Sequence, residues 1–512
     1  MQARSDFPIA IIGAGFAGIG AAIQLLKAGI DSFTIFERAD EIGGTWRDNT
    51  YPGAACDVPS HVYSLSFEQN PNWSRRYATS EEIQEYLLAV VDKWSLRERM
   101  RLATEIVEAR FDEDAGSWCL TTGQGERFTA RVVIAGVGGL VDPAYPDIPG
   151  MSEFEGEMMH TARWNHEVDL TDKRVSVIGT GASAVQVVPS IAPMVALLTV
   201  FQRTPAWVVA KFDAFYPRWL KKLMARLPFF LRASRFVKYW ASEIRGPIVF
   251  YNSKILSAIG VLLSKWNLRR QVKDAKLREK LTPTFQFGCK RVLVSDDYWA
   301  TFERDDVELV TDSIDRIEAK GVRTHDGTLH EADAIVLATG FKLGLATAPF
   351  PIIGLEGKTL DEAWARGAVA YKGMTVSGFP NWFIMMGPNT GPGHTSVLVY
   401  TEAQIAHALE AIEKIRGEAL KYVNVRQEVQ DRYNAGIQER MKHMVWGGCK
   451  SWYLNADGSN HSLYPGFAAE YVLRARHFKP EEYELAGYTK RVADTDSDAS
   501  NGAEAVTRAA SV

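Results

Sequence analysis

Cysteine is scarce in this chain of 512 residues: only Cys56, Cys119, Cys289 and Cys449 occur, far apart and without a CxxC pair. That excludes a disulfide-stapled scaffold, a zinc site and a vicinal redox pair, and it suits a reducing compartment. Charge of one sign is also lacking. Lys plus Arg number 58 against 62 Asp plus Glu, a net charge of -4, so the overall balance gives no reason to expect nucleic acid as a partner and any basic site must be local. Long apolar runs are missing too. The longest, Ile248 to Leu263, is broken by Asn252, Ser253 and Lys254 and falls short of the ~20 residues of a membrane span. The polar stretch Met1 to Phe7 leaves no room for a signal peptide. A cytoplasmic protein with no integral membrane segment is expected.

What is present is an ordinary globular composition, 46% hydrophobic and 23% charged, in a chain long enough for about three domains. Pro8 to Ile12 is a continuous apolar run ending in Gly13-Ala-Gly15-Phe16-Ala-Gly18. A helical pattern follows to Lys27, and then a strand, Ser32 to Phe36, that stops at Glu37. This is a βαβ unit whose glycines let the backbone approach a pyrophosphate seated on the helix N-terminus. Glu37, about 20 residues on, is placed to accept from both hydroxyls of an unphosphorylated ribose, which points to FAD.

A second unit opens at Arg174-Val-Ser-Val-Ile-Gly179-Thr180-Gly181-Ala182-Ser183-Ala184 and returns as Leu197 to Phe201. Its second strand ends in Gln202-Arg203-Thr204, with no carboxylate to repel a 2′-phosphate and a guanidinium to bind one, so NADPH is the expected ligand. Val132 to Gly139 and Asp333 to Gly340, the latter carrying Ala338 and Thr339, read as buried parallel strands that run into glycine turns.

The fold class expected is α/β, with two Rossmann-like dinucleotide-binding domains and a helical insertion in the second. The expected division assigns 1–150 and 375–490 to FAD, 151–209 and 286–374 to NADP, 210–285 to the insertion, and 491–512 to a disordered tail. The insertion interleaves aromatic and basic residues at helix-like spacing. The simpler reading is an amphipathic helix pair whose Lys and Arg form the solvated face; the other is a membrane-surface or anionic-partner role.

The stretch Gly43-Gly44-Thr45-Trp46-Arg-Asp-Asn-Thr-Tyr51-Pro52-Gly53-Ala-Ala-Cys-Asp57 resembles the GGxWxxxxYPGxxxD signature of class B flavoprotein monooxygenases of the Baeyer-Villiger type. Phe154-Glu-Gly156-Glu-Met-Met-His160-Thr-Ala-Arg-Trp164-Asn165 is similar to the family fingerprint FxGxxxHxxxW followed by Pro or Asp, with Asn165 departing from it. Phe287-Gly-Cys-Lys290-Arg291 resembles the family's Lys-Arg pair, and Cys449-Lys-Ser451-Trp452-Tyr453 its C-terminal segment.

The resemblance implies an FAD- and NADPH-dependent enzyme that inserts one atom of O2 next to a ketone carbonyl to give an ester or lactone, with sulfoxidation of thioethers alongside. It implies catalytic roles for Arg291 and Asp57 and a coordinating role at the domain hinge for His160. It also implies that Phe16, Gly44, Thr45, Trp46, Asp57 and Tyr63 face the flavin, and that Lys290 and Trp452 hold NADP. Arg is always charged and offers a planar fork of donors, which suits Arg291 to holding the oxyanion formed at a carbonyl under attack, with Asp57 as its partner. A monomer or weak homodimer is expected.

Overall fold

The computed structural model describes residues 7–342, 350–449, 453–454 and 458–488. Short apolar runs become strands because they are covered on both faces. Ile9–Ile12 is buried throughout and pairs in parallel with Phe33–Phe36 on one side and Val132–Ala135 on the other. Met100–Arg101 and Trp382–Ile384 complete a five-stranded parallel sheet. Helix α1 (Phe16–Lys27) follows the first strand and buries Ile19 and Ile23 with Ile11, Ile134 and Ile405, the last from the helix Val397–Gly417.

The second unit repeats this plan. Its sheet runs Val307–Val310, Leu197–Phe201, Arg174–Ile178, Ala334–Leu337, Glu157–His160, all parallel. Helix α2 (Ala184–Ile191) packs Val187 and Val188 against Val177, Val200 and Val336.

A four-stranded sheet covers the other face of the first unit: Ile352–Ile353, Ile106–Asp112, Ser117–Thr122 and Arg127–Ala130. Ile352–Ile353 falls in the span 286–374 that the sequence reading gives to the NADP unit. In the structure it pairs with Ala109 and Arg110, and Ile352, Leu360 and Trp364 pack with Ala10 and Val133 of the first unit. A two-residue strand has no periodicity to read.

The two units are joined by paired crossovers. Asp142–Pro143 runs antiparallel to Phe341–Lys342, the Ala144 N–H donates to the Gly340 carbonyl at 2.9 Å, and the Thr339 hydroxyl donates to the Ala144 carbonyl at 2.6 Å.

The insertion is helical, as the sequence suggests: α3 (Arg218–Arg226), α4 (Pro228–Phe250) and α5 (Lys254–Gln271), followed by the short helix Ala275–Leu281. Pro228 occupies the first turn of α4, where a missing N–H costs nothing. The Ser253 hydroxyl accepts from the Leu256 N–H to start α5. None of the helices among the described residues is long and apolar enough to cross a membrane.

A disulfide joins Cys289 to Cys449 across 160 residues, with Cα atoms 6.0 Å apart, whereas Cys56 and Cys119 are free. Spacing excludes a CxxC pair but says nothing about cysteines brought together by folding, so the sequence reading did not anticipate this bond.

Candidate active site

The first glycine-rich turn shows why each glycine is there. At φ +100°, Gly13 carries no side chain because a Cβ would sit 2.5 Å from the Gly136 carbonyl oxygen; a Cβ on Gly18 would meet the Gly13 carbonyl oxygen at 1.9 Å. Helix α1 can therefore press against the strands. Gly15 differs: nothing lies within 4 Å of where its Cβ would be. It caps α1 with no side-chain hydrogen bond and no acid in the first turn, which leaves the helix N-terminus open toward that space. A diphosphate fits such a cradle.

Gly44 approaches from the other side, its absent Cβ 3.5 Å from Gly15 Cα, and begins the turn Thr45–Asp48. Glu37 is buried, accepting from the N–H groups of Ala14 at 2.8 Å and Ala39 at 3.1 Å and from Arg47 at 3.1 Å. Trp46 Nε1 donates to the Tyr63 hydroxyl at 3.1 Å, and the Tyr63 ring packs edge-on to Phe16 at 5.3 Å. The residues read for FAD thus converge on one end of the first sheet.

The second turn has the same logic. A Cβ on Gly179, at φ +121°, would sit 2.4 Å from the Ala338 carbonyl oxygen, whereas Gly181 faces open space. Ser183 caps α2 without a side-chain hydrogen bond, and no acid occupies the first turn, so this N-terminus also fits a diphosphate. The Thr180 hydroxyl donates to the Thr204 carbonyl at 2.8 Å and fixes the end of the adjoining strand. Arg203 there is exposed and forms no ion pair among the described residues.

The Tyr51-Pro52-Gly53 segment clamps the two units together. The Tyr51 hydroxyl donates to Gln186 Oε1 at 2.8 Å, the Ala55 N–H donates to the same oxygen at 3.3 Å, and Gln186 Nε2 returns a bond to the Ala55 carbonyl at 2.9 Å. Gly53 lies flush on α2: at φ +81°, its Cβ would meet Ser190 Oγ at 2.0 Å and the Gln186 carbonyl oxygen at 2.6 Å.

Two residues on, this clamp delivers Asp57 to Arg291. The guanidinium Nη2 of Arg291 hydrogen-bonds the Asp57 carboxylate. The two side chains keep 46% and 28% of their accessible surface, yet the chain around them is dense enough to desolvate both charges in part. Burial pushes the Asp57 pKa up, but the Arg291 charge and hydrogen bond, with the Lys211 charge, outweigh it and hold the carboxyl below its ordinary value. Asp57 in turn holds the Arg291 pKa above its ordinary value, against the effect of burial. Lys290 places its ammonium 4.8 Å from the Phe285 ring centroid. Trp452 lies outside the described residues.

His160 is not part of this cluster. It ends the strand Glu157–His160 opposite Leu337 and is buried between Tyr145 at 5.5 Å and Phe341 at 6.2 Å, against the paired crossovers. Burial lowers its pKa, so the ring is neutral at physiological pH.

Sequence reasoning missed several supports. Gln186 and Lys211 are polar residues with no motif of their own. Arg235 of α4 donates to the carbonyls of His61 at 2.9 Å, Val62 at 3.0 Å and Ser64 at 2.9 Å, bracing the loop that carries Tyr63. A basic residue in a basic helix gives no signal of that role.

Two parallel dinucleotide folds, each with an open helix N-terminus and glycine turns pressed together, joined near an Arg–Asp pair, define a flavin- and pyridine-nucleotide-dependent oxidoreductase. The family model for pyridine nucleotide-disulphide oxidoreductases matches residues 10–226. A Baeyer-Villiger monooxygenase of Pseudomonas aeruginosa is 41% identical over 504 residues, covering 97% of this chain and 94% of that one. Among solved structures, an oxidized steroid monooxygenase bound to NADP superposes with a TM-score of 0.84 at 28% identity, over 94% of this chain and 99% of that chain. OTEMO in complex with FAD and NADP gives 0.83 at 27% identity, over 94% of this chain and all of that one, 100%. The chain belongs to the Baeyer-Villiger monooxygenase family.

Proposed function

We propose that this Baeyer-Villiger monooxygenase seats FAD on α1 and NADPH on α2, and that Arg291, positioned by Asp57, holds negative charge on a ketone carbonyl oxygen as oxygen enters beside it. The observation that carries this reading is the ion pair itself: a guanidinium kept charged and aimed by a carboxylate whose own pKa is held down. FAD reduced by NADPH supplies the activation of O2.

The chain's own residues do the rest. Gly13, Gly15, Gly18 and Gly44 bring backbone to the FAD diphosphate, Glu37 takes the ribose, and Trp46, Tyr63 and Phe16 wall the flavin side. Gly179, Gly181, Ala182 and Ser183 present α2 to the NADP diphosphate, Arg203 and Thr204 receive the 2′-phosphate, and Lys290 and Trp452 hold the nicotinamide end and keep water out. His160, neutral against the crossovers, coordinates the two units and moves no proton. Thioethers are accepted as well as ketones, giving sulfoxides.

The test is to purify the yellow holoenzyme and screen ketones and thioethers with NADPH under labelled oxygen. One label atom in an ester or lactone is expected. Hydrogen peroxide as the sole oxygen product across the panel would sink the reading.

A further inference from the structure

Fifteen of the 21 exposed large hydrophobic side chains among the described residues fall between Phe212 and Trp266, about a tenth of the chain. They are ordered by the helices. On α4, Phe229, Phe236, Val237, Trp240 and Ile244 recur at helical spacing and remain 41–74% exposed. On α5, Ile255, Ile259, Leu262, Leu263 and Trp266 do the same at 40–75%. Spacings of three, four and seven put each set on one face of its helix.

The inner faces of these helices are mixed, with polar anchors beside the buried Leu231, Phe250 and Leu268. Arg235 of α4 is spent on three loop carbonyls, and Glu243 is buried against His394 at 3.0 Å while accepting from the N–H groups of Ala468 and Ala469. In α5, the buried Ser264 donates to the Val208 carbonyl at 2.8 Å and the buried Asn267 to the Ser295 carbonyl at 3.3 Å. Both helices therefore bury some polar groups while leaving a row of rings and aliphatic chains exposed, which is unusual for a helix facing water alone.

Charge says what covers them. From Arg218 to Arg270 there are twelve Lys or Arg and a single acid, Glu243, which is buried; the whole chain is net -4. Nine of the twelve, among them Lys222, Arg226, Arg245 and Lys265, are exposed. A second copy meeting this face symmetrically would bring like charges together. Exposed Trp, Phe and Ile interleaved with Lys and Arg, along an α4 of 23 residues that is about 34 Å long, are the features of helices lying in the plane of a lipid interface.

We propose that the outward faces of α3, α4 and α5 dock this enzyme on the surface of a bilayer bearing anionic phospholipids. The aromatic and aliphatic side chains enter the acyl boundary and the Lys and Arg meet headgroup phosphates, without any segment crossing.

The experiment is flotation of the holoenzyme with vesicles of phosphatidylcholine plus phosphatidylglycerol, compared with phosphatidylcholine alone, at about 50 mM and about 500 mM salt. Partition at least about tenfold higher on the anionic vesicles at low salt, lost at high salt, is expected. The double variant Phe236→Glu and Trp240→Glu should lower it at least about tenfold, with flavin content and turnover of a water-soluble ketone unchanged. Lys222→Gln and Arg226→Gln provide an independent check should the first variant fold poorly: each should reduce partition roughly fivefold. Equal partition on both vesicle types, no partition at low salt, or variants that leave it unchanged would overturn the proposal. So would a salt-insensitive dimer that the Glu variants dissolve while vesicles bind nothing.

Discussion

Asp57 and Arg291 meet from positions 234 residues apart, and their charges explain each other. If Arg291 holds charge at the reacting carbonyl, Arg291→Ala should keep FAD and its reduction by NADPH but lower ester formation by about 10²–10³-fold, the cost of removing one oxyanion-stabilising donor. Stopped-flow reduction together with product analysis checks this. Asp57→Ala leaves the guanidinium present but unaimed, and a misplacement of about 1 Å is enough for a loss of up to about 10²-fold in kcat.

The sign of the pH dependence follows from the lowered carboxyl. Because the folded pKa of Asp57 lies below its ordinary 3.8, the pair contributes above that value and fades as pH falls through the folded one. The difference in urea stability between wild type and Asp57→Asn should be flat from about pH 5 to 8 and shrink only below about pH 4. A difference that vanished near neutrality would contradict the assignment. For Arg203→Ala, KM for NADPH should rise while KM for NADH stays nearly constant; equal losses would remove the 2′-phosphate role.

At the scale of elements, the signature around Gly53 is a piece of inter-unit packing. Gly53→Ala must push a methyl against the Gln186 backbone at a positive φ, which should cost about 1–3 kcal/mol in a thermal or urea melt. Gln186→Ala removes three part-buried hydrogen bonds that tie Tyr51 and Ala55 to α2. It should loosen the approach of the two units and lower kcat more than flavin content, measured as turnover per bound FAD. Wild-type turnover would mean that the clamp is dispensable. The signature was legible as residues in a row, but its role was not, because the partner comes from a helix 131 residues away.

At the scale of the whole molecule, the disulfide ties the Arg291 segment to the segment leading to Trp452. Thiol titration in denaturant without reductant should count two reactive cysteines, Cys56 and Cys119, and with reductant four. Four without reductant would show that the bond does not form in solution. The insertion's helices and their exposed Lys and Arg are readable from spacing, and nine of the twelve basic residues from Arg218 to Arg270 are exposed; the rings and aliphatic chains exposed beside them are not readable in that way. Periodicity reports that a helix has two faces, not which one a neighbour covers; here the bonds of Arg235, Glu243, Ser264 and Asn267 fix one face to the body and leave the rings outside beside the Lys and Arg.

The amino-acid order by itself determined both dinucleotide folds and the family, because apolar strands, glycine turns and the residues at strand ends are local features that need no distant partner to be recognised. Tertiary structure alone decided that Gln186 clasps Tyr51, that Cys289 finds Cys449, that Ile352 joins the first unit, and that the insertion wears its rings outside. Each of these is a contact between segments remote in the chain, where burial and partner are set by packing and no spacing rule applies.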